Sequence, residues 1–368
     1  MINLHFGIML MLFLCILEII YIKYKEKKEV PWREIIFNLN SGHLILWVFR
    51  GLEVVCFDFV ARHFSIGLIG KLPIIVQWIF TFFAWDFCFY WMHRLHHKYM
   101  ILWAVHVVHH EGEHFNFSLG IRNSWYSSLT SFPFFAGLAI LGVPTEQFYL
   151  IGAFHYFVQF YNHNSIIKNH CFIDRFIVSP SHHKLHHASN VEYRDKNCGG
   201  TLTIWDKWFG TFESEKENVE MKLGVTSSNH AIDNPLTGNN FHFIKYFSPK
   251  WSSKYNKKTK KSSQQFDFFV ALGGFLLFGL LIYYIYQEDK WSYFQLLQLG
   301  CMLVLATIAV YGLFENFVLG KLFWLFISIF LSIFIFSHHI NSLVLSTISI
   351  LLIIHSITIF YVTTTFKK

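Results

Sequence analysis

The chain has no Cys-x-x-Cys pair, no strong net charge and no internal repeat. Its six cysteines (Cys15, Cys56, Cys88, Cys171, Cys198 and Cys301) are scattered, which argues against both a disulfide scaffold and a thiolate zinc site. The net charge is a modest +7. Its densest block, Lys250 to Lys261, precedes an apolar run and reads as a contact with anionic lipid rather than as a nucleic-acid arm. The first apolar run has no basic segment ahead of it and no small-residue cleavage site behind it. It therefore reads as a retained anchor, not a signal peptide.

What the chain has in excess is apolar surface. It is 54% hydrophobic and 20% aromatic, with mean hydropathy +0.38. A membrane span needs roughly 20 apolar residues, and several runs qualify. Residues 3–22 form one, 44–60 a weaker one carrying Arg50, Glu53 and Asp58, and 72–92 a third. Residues 129–160 suit a hairpin bent at Gly142-Val143-Pro144, and four more runs lie at about 266–286, 295–314, 320–337 and 341–362. The expected fold is an all-α polytopic membrane protein. Four zones follow: an anchor region 1–70, a catalytic module 71–215, a polar cytoplasmic loop 216–264 and C-terminal transmembrane helices 265–368. Lys23, Lys25, Lys27, Lys28 and Arg33 after the first run place that loop in the cytoplasm. Counting spans from there puts every histidine cluster on the same side.

Fourteen of the 22 histidines fall between positions 93 and 187. His93 and His97 form a His-x-x-x-His pair; His106, His109 and His110, and later His183, His186 and His187, form His-x-x-His-His triplets. On a helix, positions i, i+3 and i+4 share a face, so each triplet is expected to aim three imidazoles at one point. Neutral imidazole suits iron, zinc and copper. The clusters supply nitrogen for two metals. Each histidine alone could be a satisfied interfacial residue, but clustered imidazoles repel when protonated and are costly to bury unpaired.

From His97 to His106 a straight helix turns about 180°, and from His97 to His109 about 120°. One continuous helix would turn the two sets apart, so a break is expected near Tyr99 to Trp103. His163 is placed to supplement the clusters after the hairpin, with Gln159 one turn before it and His155 deeper in the apolar run as ligand, packed residue or support. His96 and His182 are the odd members of their clusters, and His182 could support the ligands. His114 and His170 match no spacing, and His338, His339 and His355 in the tail read as interfacial or packing residues. Asp86, two turns before His93, is a candidate for orienting a ligand imidazole through its distal nitrogen. Glu113 and Asp195 follow the second and third clusters and are candidates for the same task; Asp195 could equally be a surface turn residue.

With these residues the chain resembles the fatty acid hydroxylase (sterol desaturase) superfamily of membrane di-iron enzymes. His93/His97, His106/His109/His110 and His183/His186/His187 meet its three motifs. Trp91-Met92-His93-Arg94, Leu102-Trp103-Ala104-Val105-His106 and Ser179-Pro180-Ser181-His182-His183 match the surrounding text. So do Glu113, Asn116, Arg122-Asn123-Ser124, Asp195 to Gly200 and Trp205 to Phe212. The likeness covers about residues 75–215 and is greatest to the branch that oxidises alkylglycerols. It departs at Glu111-Gly112, where some relatives carry paired serines, at Cys198, where an aromatic residue is expected, and at Gln159, where other branches have histidine.

The resemblance implies two ferrous ions, dioxygen, a membrane lipid substrate, and hydroxylation of the carbon beside an ether oxygen. The product collapses to a fatty aldehyde and a glycerol derivative. That branch takes its electrons from tetrahydrobiopterin, and no motif in this chain independently marks a pterin pocket. The Trp205–Phe212 stretch could stack on a pterin or lie at the interface. The nearest rival is the same chemistry on a sterol, fatty acyl or carotenoid substrate with a protein electron donor. A histidine-rich metal transporter is a rival of another class, but its sites usually lie near the bilayer midplane, whereas these clusters sit at span ends. A bis-histidine haem protein would leave the triplets unexplained.

Overall fold

The long apolar runs become helices. A computed structural model describes residues 4–167, 171–216, 219–225, 235–252 and 262–365. Its helices are α1 (Leu4–Tyr24), α2 (Trp32–Asn40), α3 (His43–Phe64), α4 (Ile74–Lys98), α5 (Met100–His110), α6 (Ser127–Leu141), α7 (Thr145–Asn162), α8 (Pro180–His186) and α9 (Ile204–Trp208). They continue as α10 (Pro235–Phe247), α11 (Pro249–Ser252), α12 (Gln264–Tyr286), α13 (Tyr293–Phe314), α14 (Val318–Ser337) and α15 (Leu343–Thr365). Among the described residues the only β pairing is an isolated bridge between Ile177 and Leu202. The protein is all-helical, and six helices (α1, α4 and α12 to α15) are long and apolar enough to cross a membrane.

Two of the expected spans differ. α3 forms over the weak run but is not among those six, and its charges are paired. Glu53 is buried, paired with Arg50 and accepting from Ser131 Oγ, while Asp58 accepts from Thr145 Oγ1 and pairs with Arg62. The hairpin forms as α6 and α7, and neither helix is among the six. The 15 residues of α6 reach about 22 Å at 1.5 Å per residue, short of a bilayer core. Gly142, at φ +89°, ends α6 in a left-handed cap with Val143 N–H donating to Leu138 O. A Cβ there would meet Gly67 Cα at 2.9 Å, so only glycine allows the chain to pass.

The chain divides into two compact units, Ile45–Ser228, and Met1–Leu44 with Asn229–Lys368. In the first, α4 packs on α5, α6 and α7 around Phe57, Trp85, Phe135, Phe148 and Ile151, with Phe57 stacked on Phe148 at 3.9 Å. In the second, α12 to α15 pack together with α1 and α2 on α12. Ser328–Ser356 and Ser332–Ser349 hydroxyl pairs join α14 to α15. His355 accepts from Trp324 Nε1 and donates to Phe269 O, and His338 bonds Gln298, so these two tail histidines serve packing. The polar region after 216 is not all linker. It contains α10, which buries Asn239, Phe241 and His242. One short apolar turn is too little to show as periodicity in the sequence. Of the Lys250–Lys261 block, residues 253–261 lie outside the described residues, as does His170.

Candidate metal centre

α4 delivers His93 and His97 at its C-terminal end, and the chain then breaks where the angular argument requires. Tyr99 is extended (φ −102°, ψ 128°), and α5 starts on a new axis one residue later. This folds the second cluster onto the first: His93 Nε2 lies 2.9 Å from His106 Nε2. The loop after Asn162 adds His163, and α8 adds the third cluster.

All nine histidines expected as ligands come together, in two sets. His93, His97, His106, His110 and His186 form one, and His109, His163, His183 and His187 the other; in each set the nitrogens lie within 4.8 Å of one another. The triplets do not each aim at one point, as expected from spacing. His106 and His110 enter the five-histidine set and His109 the other; His183 and His187 enter the four-histidine set and His186 the other. The reason is helical geometry. Positions i and i+4 are offset by only about 40°, whereas i+3 and i+4 diverge by about 100°, enough to serve different centres.

Within the four-histidine set, His163 Nε2 lies 3.0 Å from His109 Nε2, 3.0 Å from His183 Nε2 and 3.1 Å from His187 Nε2. Such separations match the edge of a polyhedron with bonds of about 2.1 Å, the length imidazole makes to zinc. The buried Nε2 atoms of His97 and His186 have no hydrogen-bond partner. Crowded neutral imidazoles with orphaned nitrogens fit a cation, and the donor set fits non-haem iron.

The distal nitrogens fix the tautomers. Nδ1–H of His93 donates to Cys198 O (2.8 Å), of His109 to Arg122 O (2.8 Å), of His163 to Gln159 O (2.6 Å) and of His186 to Lys196 O (2.7 Å). Each leaves the Nε2 lone pair free for a metal. Asp195 Oδ1 lies 3.2 Å from His97 Nδ1, so this carboxylate does stand where an orienting group should.

The other supporting candidates do different work. Asp86 touches no ligand imidazole. It accepts from Thr201 N–H, Leu202 N–H and Trp205 Nε1, and lies 3.5 Å from His155. It anchors the 201–205 loop because those donors reach the helix before any ligand ring does. Glu113 is exposed and its Cγ lies near Gly224. The buried carboxylate of that loop is Glu111, which accepts from Arg122 Nη2 at 2.9 Å. Asn116 caps a short 3-10 turn by accepting from Ser118 N–H. His155 packs against Trp85 and bonds Thr201, His96 bonds Met92 O and Thr130, and His182 caps α8 with Ser179. Gln159 donates to Gly200 O while its own carbonyl holds His163, so it supports the centre without supplying a ring nitrogen. Carbonyl acceptors were invisible in the sequence, since every residue has one.

Burial is the leading cause that holds His106, His109, His110, His183, His186 and His187 well below the ordinary imidazole value, with neighbouring imidazoles adding to it. Burial brings His163 down to about 3. The unfolded chain therefore takes up protons below about pH 6.5 that the folded chain refuses. Metal-stripped protein is expected to lose stability as pH falls from about 6.5 towards about 3. Its thermal midpoint in detergent should be lower at pH 5 than at pH 8; equal midpoints would contradict this.

Residues 78–211 match the fatty acid hydroxylase family profile. Among curated proteins the chain is 32% identical to alkylglycerol monooxygenase of Homo sapiens over 206 residues, 56% of this chain and 45% of that one. It is 36% identical to alkylglycerol monooxygenase of Xenopus tropicalis over 46% of this chain and 38% of the relative. It is 28% identical to the ornithine lipid hydroxylase OlsE of Rhizobium tropici over 42% of this chain and 47% of the relative. The matches thus span less than half the length of each of these relatives. No solved structure matches the chain. The two histidine sets lie within residues 78–211, the segment that matches the fatty acid hydroxylase family.

Proposed function

We propose that the chain is a membrane-bound, non-haem di-iron monooxygenase that oxidises a lipid, and that its substrate is an alkylglycerol ether. The observation that carries this is the coincidence of the two histidine sets with residues 78–211, the segment matching the fatty acid hydroxylase family, in a chain 32% identical to alkylglycerol monooxygenase over 206 residues. His93, His97, His106, His110 and His186 would hold one iron, and His109, His163, His183 and His187 the other. Bound iron would supply dioxygen reduction and oxidation of an unactivated C–H bond. The protein's own residues do the rest. The Nδ1–H bonds keep each ring in the ligating tautomer. Trp103 beside His97 and His110, and Phe115 stacked on His163, shield the rings from water. Hydroxylation beside the ether oxygen gives a hemiacetal, which collapses to a fatty aldehyde and a glycerol derivative.

With α3 crossing as well as α4, the lysines after α1 would put the centre on the cytoplasmic face, in the endoplasmic reticulum of a eukaryote or the inner membrane of a bacterium. Likeness to the alkylglycerol enzymes makes tetrahydrobiopterin the reductant. The likeness to an ornithine lipid hydroxylase favours a second reading, the same chemistry on another lipid, acyl or sterol, with a different electron donor. Aerobic turnover of a 1-O-alkylglycerol by iron-loaded protein, with and without tetrahydrobiopterin, separates the two. Pterin-dependent fatty aldehyde is expected. Iron-loaded protein that makes no aldehyde would overturn the ether assignment.

A further inference from the structure

Three ligands of the five-histidine set lean on a single stretch of four residues. Asp195 Oδ1 meets His97 Nδ1 at 3.2 Å, Lys196 O accepts from His186 at 2.7 Å, and Cys198 O accepts from His93 at 2.8 Å. The distal nitrogens of the four-histidine set find nothing on this strap. His109 and His163 lean on Arg122 O and Gln159 O, and the buried Nδ1 atoms of His183 and His187 have no hydrogen-bond partner. Support for the two sets is therefore segregated in the sequence.

The strap holds an unusual backbone. Asp195 (φ +61°) and Asn197 (φ +52°) are left-handed, a region that only a few residue types tolerate, and they alternate with the two residues that offer carbonyls. Something must keep it there. Asn197 is tied by its side chain, which donates to His182 O and Glu213 O and accepts from Glu213 N–H. A further tie is Asp206, which is 1% exposed and hydrogen-bonds no histidine. Its Oδ1 accepts from Cys198 N–H (2.8 Å) and Thr211 Oγ1 (2.7 Å), and its Oδ2 from Gly199 N–H (2.8 Å). A Cβ at Gly199 would lie 2.6 Å from Asp206 Oδ2, so glycine is what lets the two backbone N–H groups close on one carboxylate.

We infer that Asp206 is a positioning residue for one metal only: by clamping the 195–199 strap it sets how firmly the five-histidine set holds its ion, and it leaves the four-histidine set unaffected. This rests on the two-metal reading above. Removing groups that orient ligands typically weakens metal binding about 10–100-fold, and here that loss is directed to one of the two sites.

The test uses cobalt(II) as the probe, read by its ligand-field absorption, and follows its release to excess EDTA from the full-length protein in detergent. His163→Ala leaves the five-histidine set intact, and His97→Ala leaves the four-histidine set intact. Adding Asp206→Asn should speed release at least about tenfold in the His163→Ala background and not at all in the His97→Ala background. Asp206→Ala should act more strongly in the same direction. If it does not accumulate in membranes, Asp206→Asn, of the same shape with one acceptor exchanged for a donor, carries the test. Equal acceleration in both backgrounds, or none in either, overturns the inference while the two-metal reading stands. Wild-type protein that takes up no second cobalt overturns both.

Discussion

Replacing His109 and His110 together by alanine is expected to abolish turnover while the protein still inserts into membranes. The two neighbours belong to different sets, His109 to the four-histidine and His110 to the five-histidine one, so one double substitution removes a nitrogen from each set. The loss should exceed the roughly 100-fold that follows when only a ligand-orienting group is removed. Both residues sit at the end of α5, a helix that is not among the six candidate spans, so membrane partition should not change. The single variants sharpen the prediction. His109→Ala should release metal from one set and His110→Ala from the other, and in each case metal content should fall by half. Turnover that survives the double substitution would contradict the ligand assignment.

Glu111→Ala is expected to destabilise the protein by about 3–5 kcal/mol, the cost of leaving a buried charge without its partner. Glu111 and Arg122 are both buried, 2.9 Å apart. Arg122 also donates through Nε to Val108 O at 2.6 Å, and its own carbonyl holds His109 Nδ1. Loss of the carboxylate should therefore loosen a ligand as well as the fold. Replacing both members by apolar residues should cost less than Glu111→Ala alone, because no charge is then stranded. Thermal unfolding in detergent reads this directly. A Glu111→Ala midpoint equal to that of the wild type would show the pair to be dispensable.

That eight of the nine grouped histidines would gather was legible because imidazole spacing is a local property of a helix, while His163 was placed by the hairpin before it. The break at Tyr99 was legible too, since a straight helix from His97 would have turned His106 about 180° away. What the spacing did not convey was the partition of each triplet between two centres. Helix geometry permits the split, but whether a second centre stands on the i+3 side depends on where α8 and the His163 loop stand relative to α5, and these elements lie far away in sequence. Asp86 shows the same limit from another side. A carboxylate in an apolar helix announces that it has a task, but its partner, Trp205, is 119 residues further on. Nothing local distinguishes holding a loop from orienting an imidazole. The backbone carbonyls of Arg122, Gln159, Lys196 and Cys198 leave no mark in a sequence at all. Asp195 offered two readings, orienting carboxylate and surface turn residue, and it meets both: it is exposed in a left-handed turn and lies 3.2 Å from His97 Nδ1.

The central claim is that the two histidine sets each hold an iron. Elemental analysis of protein purified after iron loading and removal of loose metal tests it most directly, in the wild type and in His163→Ala. The account predicts one iron for each set in the wild type and loss of half of it in His163→Ala. A wild type that retains a single iron, or a His163→Ala variant that retains the full complement, would contradict it.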